Sequence, residues 1–133
     1  MPATFVDTSA LYALAVPDDA SYEQARATFR DLSGQALVTH NYVVLESTAL
    51  MQARRGMPAV RRLMRDLLPV VEVGWITPDL HERALAALLA ADSRDVSLVD
   101  RVSFAFMRER DLDTAFAFDS DFELEGFRLA AAR

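Results

Sequence analysis

Short apolar runs that break off at a carboxylate constrain this chain more than any other feature. Ala3-Thr-Phe-Val6 stops at Asp7, and Ala115-Phe-Ala-Phe118 stops at Asp119-Ser-Asp121. Four-residue apolar runs bounded by turn formers fit strands buried on both faces. Between them lie longer stretches with apolar residues at helical spacing. Strands alternating with helices indicate a parallel α/β sheet. Sites in such sheets form beyond the carboxyl ends of the strands. Asp7 and Asp119 are therefore expected at one edge of the sheet, although more than a hundred residues separate them.

The pattern predicts strands at Ala3–Val6, Ala36–Thr39, Val70–Val73 and Ala115–Phe118, with a fifth at Phe127–Ala130. A short helix is expected over Ala10–Ala15, stopped by Val16-Pro17. Asp18 or Asp19 can cap the next, over Ala20–Leu32. Asn41 can cap a helix that runs to Arg54 and closes at Gly56, and Pro58 opens another reaching Leu68. Pro78–Ala91 carries Leu80, Ala84, Leu85, Leu88 and Leu89 on one expected face. A last helix is expected from Ser97 to Arg110. There is no internal repeat or linker, and 133 residues suit a single domain spanning 1–133.

Composition narrows the chemistry. With 52% hydrophobic residues a two-sided core is available, and the absence of cysteine excludes disulfides, thiol nucleophiles and thiolate metal sites. The N-terminus has no basic segment followed by a long apolar run, and no apolar stretch approaches the ~20 residues of a membrane helix. A soluble cytoplasmic protein without membrane contact is the expectation. All 14 basic residues are arginine. Without lysine, P-loop NTPase, receiver-domain and haloacid-dehalogenase-type phosphatase chemistry are excluded, since each needs an active-site lysine. The net charge of −6 argues against general nucleic-acid binding. Bound cations, however, reverse the field around a cluster of acids.

Each acid has a structural alternative. Asp7 can cap the helix after it, and Ser9 can cap or position a metal-bound water. Glu46 can belong to an exposed stripe continuing from Asn41, but it lies among Val43, Val44, Leu45, Ala49 and Leu50, which look buried, and a glutamate beside an apolar face is rarely buried without a partner. Ser97-Leu-Val-Asp100 matches a capping box, yet Phe104 sits four residues on from Asp100 and looks core-directed. Asp119 and Asp121 can form an Asx turn. Taken together, gathered carboxylates raise one another's pKa and call for a cation. Oxygen-only ligands favour Mg2+ or Mn2+, which can serve phosphodiester hydrolysis. His40 and His81, the only histidines, are assigned structural or solvated roles.

These segments also resemble the PIN-domain ribonucleases, and most closely the toxin subunits of VapBC-type toxin–antitoxin pairs. The resemblance rests on Phe5-Val-Asp7-Thr-Ser-Ala-Leu11, Thr39-His-Asn-Tyr-Val-Val-Leu-Glu46, Ser97-Leu-Val-Asp100-Arg-Val-Ser-Phe-Ala-Phe-Met107 and Phe118-Asp119-Ser-Asp121-Phe122 with Gly126-Phe127. It implies a PIN-like three-layer α/β/α sandwich around a central parallel sheet of four to five strands. The implied activity is that of a Mg2+- or Mn2+-dependent endoribonuclease, with Asp7, Glu46, Asp100 and Asp119 as catalytic acids. Asp7, Asp100, Asp119 and Asp121 are implied on the metal, with Ser9 in support. A cognate antitoxin and a homodimer are implied as well. One departure stands out: Ala117 replaces the hydroxyl residue that the family often places two positions before the fourth acid.

Two alternatives remain at this level, a catalytically silent PIN-like module that binds protein or RNA, and a nuclease acting on DNA or structured RNA. The cluster Arg54, Arg55, Arg61, Arg62 and Arg65 reads either as a solvated helical surface or as a basic rim for RNA or an acidic antitoxin segment.

Overall fold

The computed structural model describes residues 2–130. Five parallel strands form one sheet: β1 (Ala3–Val6), β2 (Ala36–His40), β3 (Glu72–Gly74), β4 (Thr114–Phe116) and β5 (Arg128–Leu129), in the order β3-β2-β1-β4-β5. Seven α-helices flank it in a three-layer α/β/α sandwich: α1 (Thr8–Ala15), α2 (Tyr22–Asp31), α3 (Asn41–Arg55), α4 (Met57–Arg62), α5 (Pro78–Ala91), α6 (Leu98–Glu109) and α7 (Asp121–Leu124). The chain builds outward from β1 to β2 and β3, then crosses back to place β4 and β5 on the other side. β1 and β4 therefore meet at the switch point where the strand order reverses, the place where open parallel sheets form their sites.

Register fixes the acids there. Phe5 pairs with Ala115 and Val6 with Phe116, and the Asp7 N–H donates to the Phe116 carbonyl at 3.0 Å. Phe5, Phe116 and Phe122 are completely buried, and the Phe5 ring lies 6.0 Å from both Phe106 and Phe122. The sheet edge that carries the carboxylates is thus packed on a rigid aromatic core.

Several boundaries differ from the expected ones, each for a local reason. β4 ends at Phe116 rather than Phe118 because β1 turns away at Asp7, and the Phe118 N–H donates to Ser9 Oγ instead (3.0 Å). β3 begins at Glu72 rather than Val70. Pro69 lacks a ladder donor, so Leu68–Val70 form a 3-10 turn that closes with Val71 N–H on the Leu68 carbonyl. The helix expected over 58–68 stops as α-helix at Arg62 and continues as a π-turn over Leu63–Leu67. His40, not Asn41, caps α3; Asn41 Oδ1 accepts the Ile76 N–H at 2.7 Å. Asp19 accepts the Ser21 N–H in a turn, which delays α2 to Tyr22. α1 starts at Thr8 because Asp7 is its cap. The short α7 had no counterpart in the sequence pattern.

Three expected core positions are surface. On α3 the buried stripe is Val43, Ser47 and Met51, which leaves Leu45 71% exposed and Ala49 exposed. On α5, Leu80 and Ala84 are buried while Leu89 is 72% exposed. Gly56 (φ +77°) lets α3 end and α4 begin within one residue, a left-handed backbone that favours glycine. No helix of the described residues is long and apolar enough to cross a membrane.

Candidate metal centre

The turn from β1 into α1 shows why capping and site roles coincide. Asp7 caps α1 with Oδ2, accepting the Ser9 N–H (3.2 Å) and the Ser9 hydroxyl (2.8 Å). Ser9 Oγ in turn accepts the Phe118 N–H. One hydroxyl thereby fixes the first acid and locks it to the end of β4. On α3 the stripe Glu46, Leu50 and Arg54, spaced by four residues, faces α1. There the Thr8 hydroxyl donates to Glu46 Oε1 at 2.6 Å. Ala117 is completely buried in the core. The hydroxyls on these acids come instead from Thr8 on Glu46, Ser9 on Asp7 and Ser97 on Asp100.

α6 brings in the third acid. Ser97 caps it by accepting the Asp100 N–H at 3.2 Å. Asp100 is nevertheless half-buried, and Phe104 on its face is buried against Phe122 at 5.1 Å. Asp119 Oδ1 accepts the Asp121 N–H at 2.9 Å, the expected Asx turn. That turn aims both acids at Asp100: one carboxylate oxygen from each of Asp100, Asp119 and Asp121 lies within 4.8 Å of the others.

Asp7, Glu46, Asp100 and Asp119 line a single open cleft with Ser9, Thr8, Tyr12 and Arg54. Asp121 borders it from the α7 side, through its cluster with Asp100 and Asp119. All five acids are thus brought together around one cleft, with Asp100, Asp119 and Asp121 forming the tightest group. Burial pushes the Asp7 carboxyl up to about 6, against the hydrogen bonds from Ser9 and Thr8 that pull it down. Asp100 is pushed up to about 7, first by burial and then by the charges of Asp7, Asp119 and Glu46. Asp121 is raised by desolvation and by Asp119. Carboxylates held this close resist full ionisation unless a cation joins them. An all-oxygen donor set with half-buried carboxylates fits a hard divalent ion.

Neither histidine joins the site. His40 is buried, accepts the Val43 N–H on Nδ1 (3.3 Å) and shares 2.8 Å between Nε2 and Ser103 Oγ. Burial lowers its pKa to about 3, so it stays neutral as a structural cap. His81 Nδ1 bonds the Tyr42 hydroxyl at 2.6 Å.

The arginine cluster divides. Arg54 lines the cleft with its guanidinium 6.0 Å from the centre of the Tyr12 ring. Arg55 pairs with Asp18 at 3.0 Å, and Arg62 donates to the Ala15 carbonyl at 2.8 Å. Arg61 and Arg65 are exposed. Sequence reasoning missed Thr8 and Tyr12 as wall residues. Their four-residue spacing on α1 was visible, but its meaning depends on α1 packing against α3.

The family model for the PIN domain matches residues 4–125. The chain is similar to the 23S rRNA-specific endonuclease VapC20 of Mycobacterium tuberculosis in two strains, CDC 1551 / Oshkosh and H37Rv. Identity to each is 38% over 124 residues, covering 92% of this chain and 94% of the relative. The crystal structure of M. tuberculosis VapC20, described as a Sarcin-Ricin loop cleaving toxin, superposes with a TM-score of 0.85 at 36% identity, over 93% of this chain and 95% of that one. FitAcB from Neisseria gonorrhoeae shares the fold, with a TM-score of 0.70 at 14% identity over 95% of each chain. The chain belongs to the PIN-domain family.

Proposed function

We propose that this protein is a Mg2+- or Mn2+-dependent endoribonuclease and the toxin half of a toxin–antitoxin pair. The observation that carries the reading is the convergence of Asp7, Glu46, Asp100 and Asp119 on one cleft at the β1/β4 switch point. A relative named for cleaving the Sarcin-Ricin loop supports a structured loop of the large ribosomal RNA as substrate. Loops expose unstacked bases and a bent backbone to an open cleft. The toxin role supports a cognate antitoxin as protein partner, and we include self-association as a homodimer and a cytoplasmic location in the proposal.

Asp100, Asp119 and Asp121, with Asp7 across the cleft, are the residues that would hold the ion. When bound, a divalent ion supplies charge neutralisation for the phosphoryl and leaving oxygens and lowers the pKa of a water. Hydrolysis adds that water across one P–O bond, so a proton leaves the water and another reaches the departing oxygen. Glu46 stands outside the three-aspartate group and is held by Thr8, which suits it to orient the attacking water and accept its proton. Ser9 keeps Asp7 aimed into the cleft.

Mapping new 5′ ends in ribosomal RNA after incubation with the protein and Mg2+ tests the reading. A single dominant cut in a loop of the large ribosomal RNA, lost with Glu46→Gln, is the expected result. Absence of any cut with either Mg2+ or Mn2+ would exclude a nuclease.

A further inference from the structure

Between α5 and α6 runs a groove of about 490 Å³, separate from the acidic cleft. Its floor is apolar, made of Ala84, Ala87, Phe104 and Ala105, and its rim carries Arg83, Arg101 and Arg108. Two of these cations are committed. Arg83 pairs with Asp79 at 2.9 Å and Glu109 at 3.0 Å; Arg108 pairs with Glu125 at 3.2 Å and lies 5.1 Å from the centre of the Phe127 ring. Arg101 differs. Among the described residues, its Nε is buried with no hydrogen-bond partner and no ion pair holds the side chain.

A guanidinium nitrogen withdrawn from water without an acceptor is costly. Nε itself is closed to solvent, so an incoming oxyanion meets the terminal nitrogens, which the planar guanidinium presents in a geometry suited to phosphate. Position selects which oxyanion. Arg101 follows Asp100 directly in α6, and its charge acts on Asp121, which groups with Asp100 and Asp119. An anion on Arg101 therefore lies close to the three-aspartate cluster. A strand crossing the acidic cleft and leaving past α6 presents a phosphate at that point.

We propose that Arg101, at the cluster end of the α5–α6 groove, is a phosphate subsite for the RNA strand on one side of the scissile bond. The proposal rests on the nuclease reading above. Arg101 acts as a binding and positioning residue and does not touch the reacting atoms.

The test uses full-length protein and a labelled RNA hairpin carrying the sarcin–ricin loop, with a neutral methylphosphonate introduced at one linkage at a time. Arg101→Gln should lower kcat/KM about ten- to hundredfold, mainly through KM. It should also flatten the dependence of log(kcat/KM) on log[salt] by about one counterion. Arg101→Lys, which keeps the charge and loses the fork, should restore the salt slope and part of KM. One linkage near the cut should matter to the wild type and be silent in Arg101→Gln. Melting temperatures of both variants check that each is folded. A wild type that cleaves no RNA overturns the nuclease reading and the subsite with it. An active wild type whose Arg101→Gln variant keeps its KM and salt slope, or loses affinity without any silent linkage, overturns the subsite alone.

Discussion

The Thr8 hydroxyl donates to Glu46 Oε1 across 2.6 Å, joining residues 38 positions apart and tying the first turn of α1 to α3. That bond leaves Glu46 a fixed direction in the cleft. Thr8→Val keeps the shape of a mostly buried side chain and removes only the donor. A hydrogen bond to a charged group contributes roughly 1.5–3 kcal/mol, so single-turnover cleavage should slow about ten- to hundredfold. In a Glu46→Gln background the same change should add little, because the two residues act as one unit. Equal losses in both backgrounds would separate Thr8 from Glu46.

Asp7 makes the protein less stable at neutral pH in the absence of metal. Its folded pKa is raised from 3.8 to about 6, chiefly by burial. The associated stability is complete below about pH 4 and is lost as pH rises through about 6. Asp7→Asn keeps the α1 cap and removes the buried charge. Metal-free melts at pH 8 should show the variant more stable by on the order of 2–3 kcal/mol, with the gain shrinking to nothing near pH 4. Divalent metal should erase the difference by stabilising the wild type alone.

Ser97 and Asp100 separate capping from chemistry. Ser97 Oγ accepts the Asp100 N–H, so Ser97→Ala should cost about 0.5–2 kcal/mol in thermal or urea unfolding while the protein still cleaves RNA. Asp100→Asn should retain the fold and abolish cleavage. Normal cleavage by Asp100→Asn would remove that residue from the site.

Arginines that look alike in sequence should behave differently. Arg62→Gln breaks the bond to the Ala15 carbonyl and should lower the melting temperature without changing the salt dependence of RNA binding. Arg54→Gln, at the mouth of the acidic cleft, should flatten that salt dependence by about one counterion and leave stability near wild type. The reverse pattern would assign the basic rim to α4.

The strands and most helices were legible because apolar runs ending in Asp7 and Asp119 announce a parallel sheet and its functional edge. The candidate site was legible for the same reason: Asp7 and Asp119 follow β1 and β4, which pair side by side. Boundaries were less legible where tertiary partners decide them. Phe118 leaves the strand only because Ser9 offers its backbone an acceptor, and Val70 turns because Pro69 precedes it. Leu45 and Leu89 look like core residues in a one-dimensional pattern, yet the helix faces chosen by packing leave them in solvent. The capping of α1 by Asp7 and of α6 by Ser97, and the Asx turn at Asp119, are compatible with the site roles proposed for Asp7, Asp100 and Asp119, because an N-terminal helix turn can fix a carboxylate while its backbone is being capped.

Under the proposed function, RNA cleavage depends on a cation held by Asp7 and the Asp100–Asp119–Asp121 group. The most direct measurement is the initial rate of cleavage of a sarcin–ricin hairpin as Mn2+ is titrated into chelator-treated protein, for the wild type and for Asp119→Asn. The rate should rise from zero to saturation in the wild type and stay at background in the variant at every Mn2+ concentration, with both proteins equally folded by circular dichroism. Cleavage by the wild type in excess chelator, or a wild-type titration curve from Asp119→Asn, would show that cleavage does not depend on a cation held at Asp119.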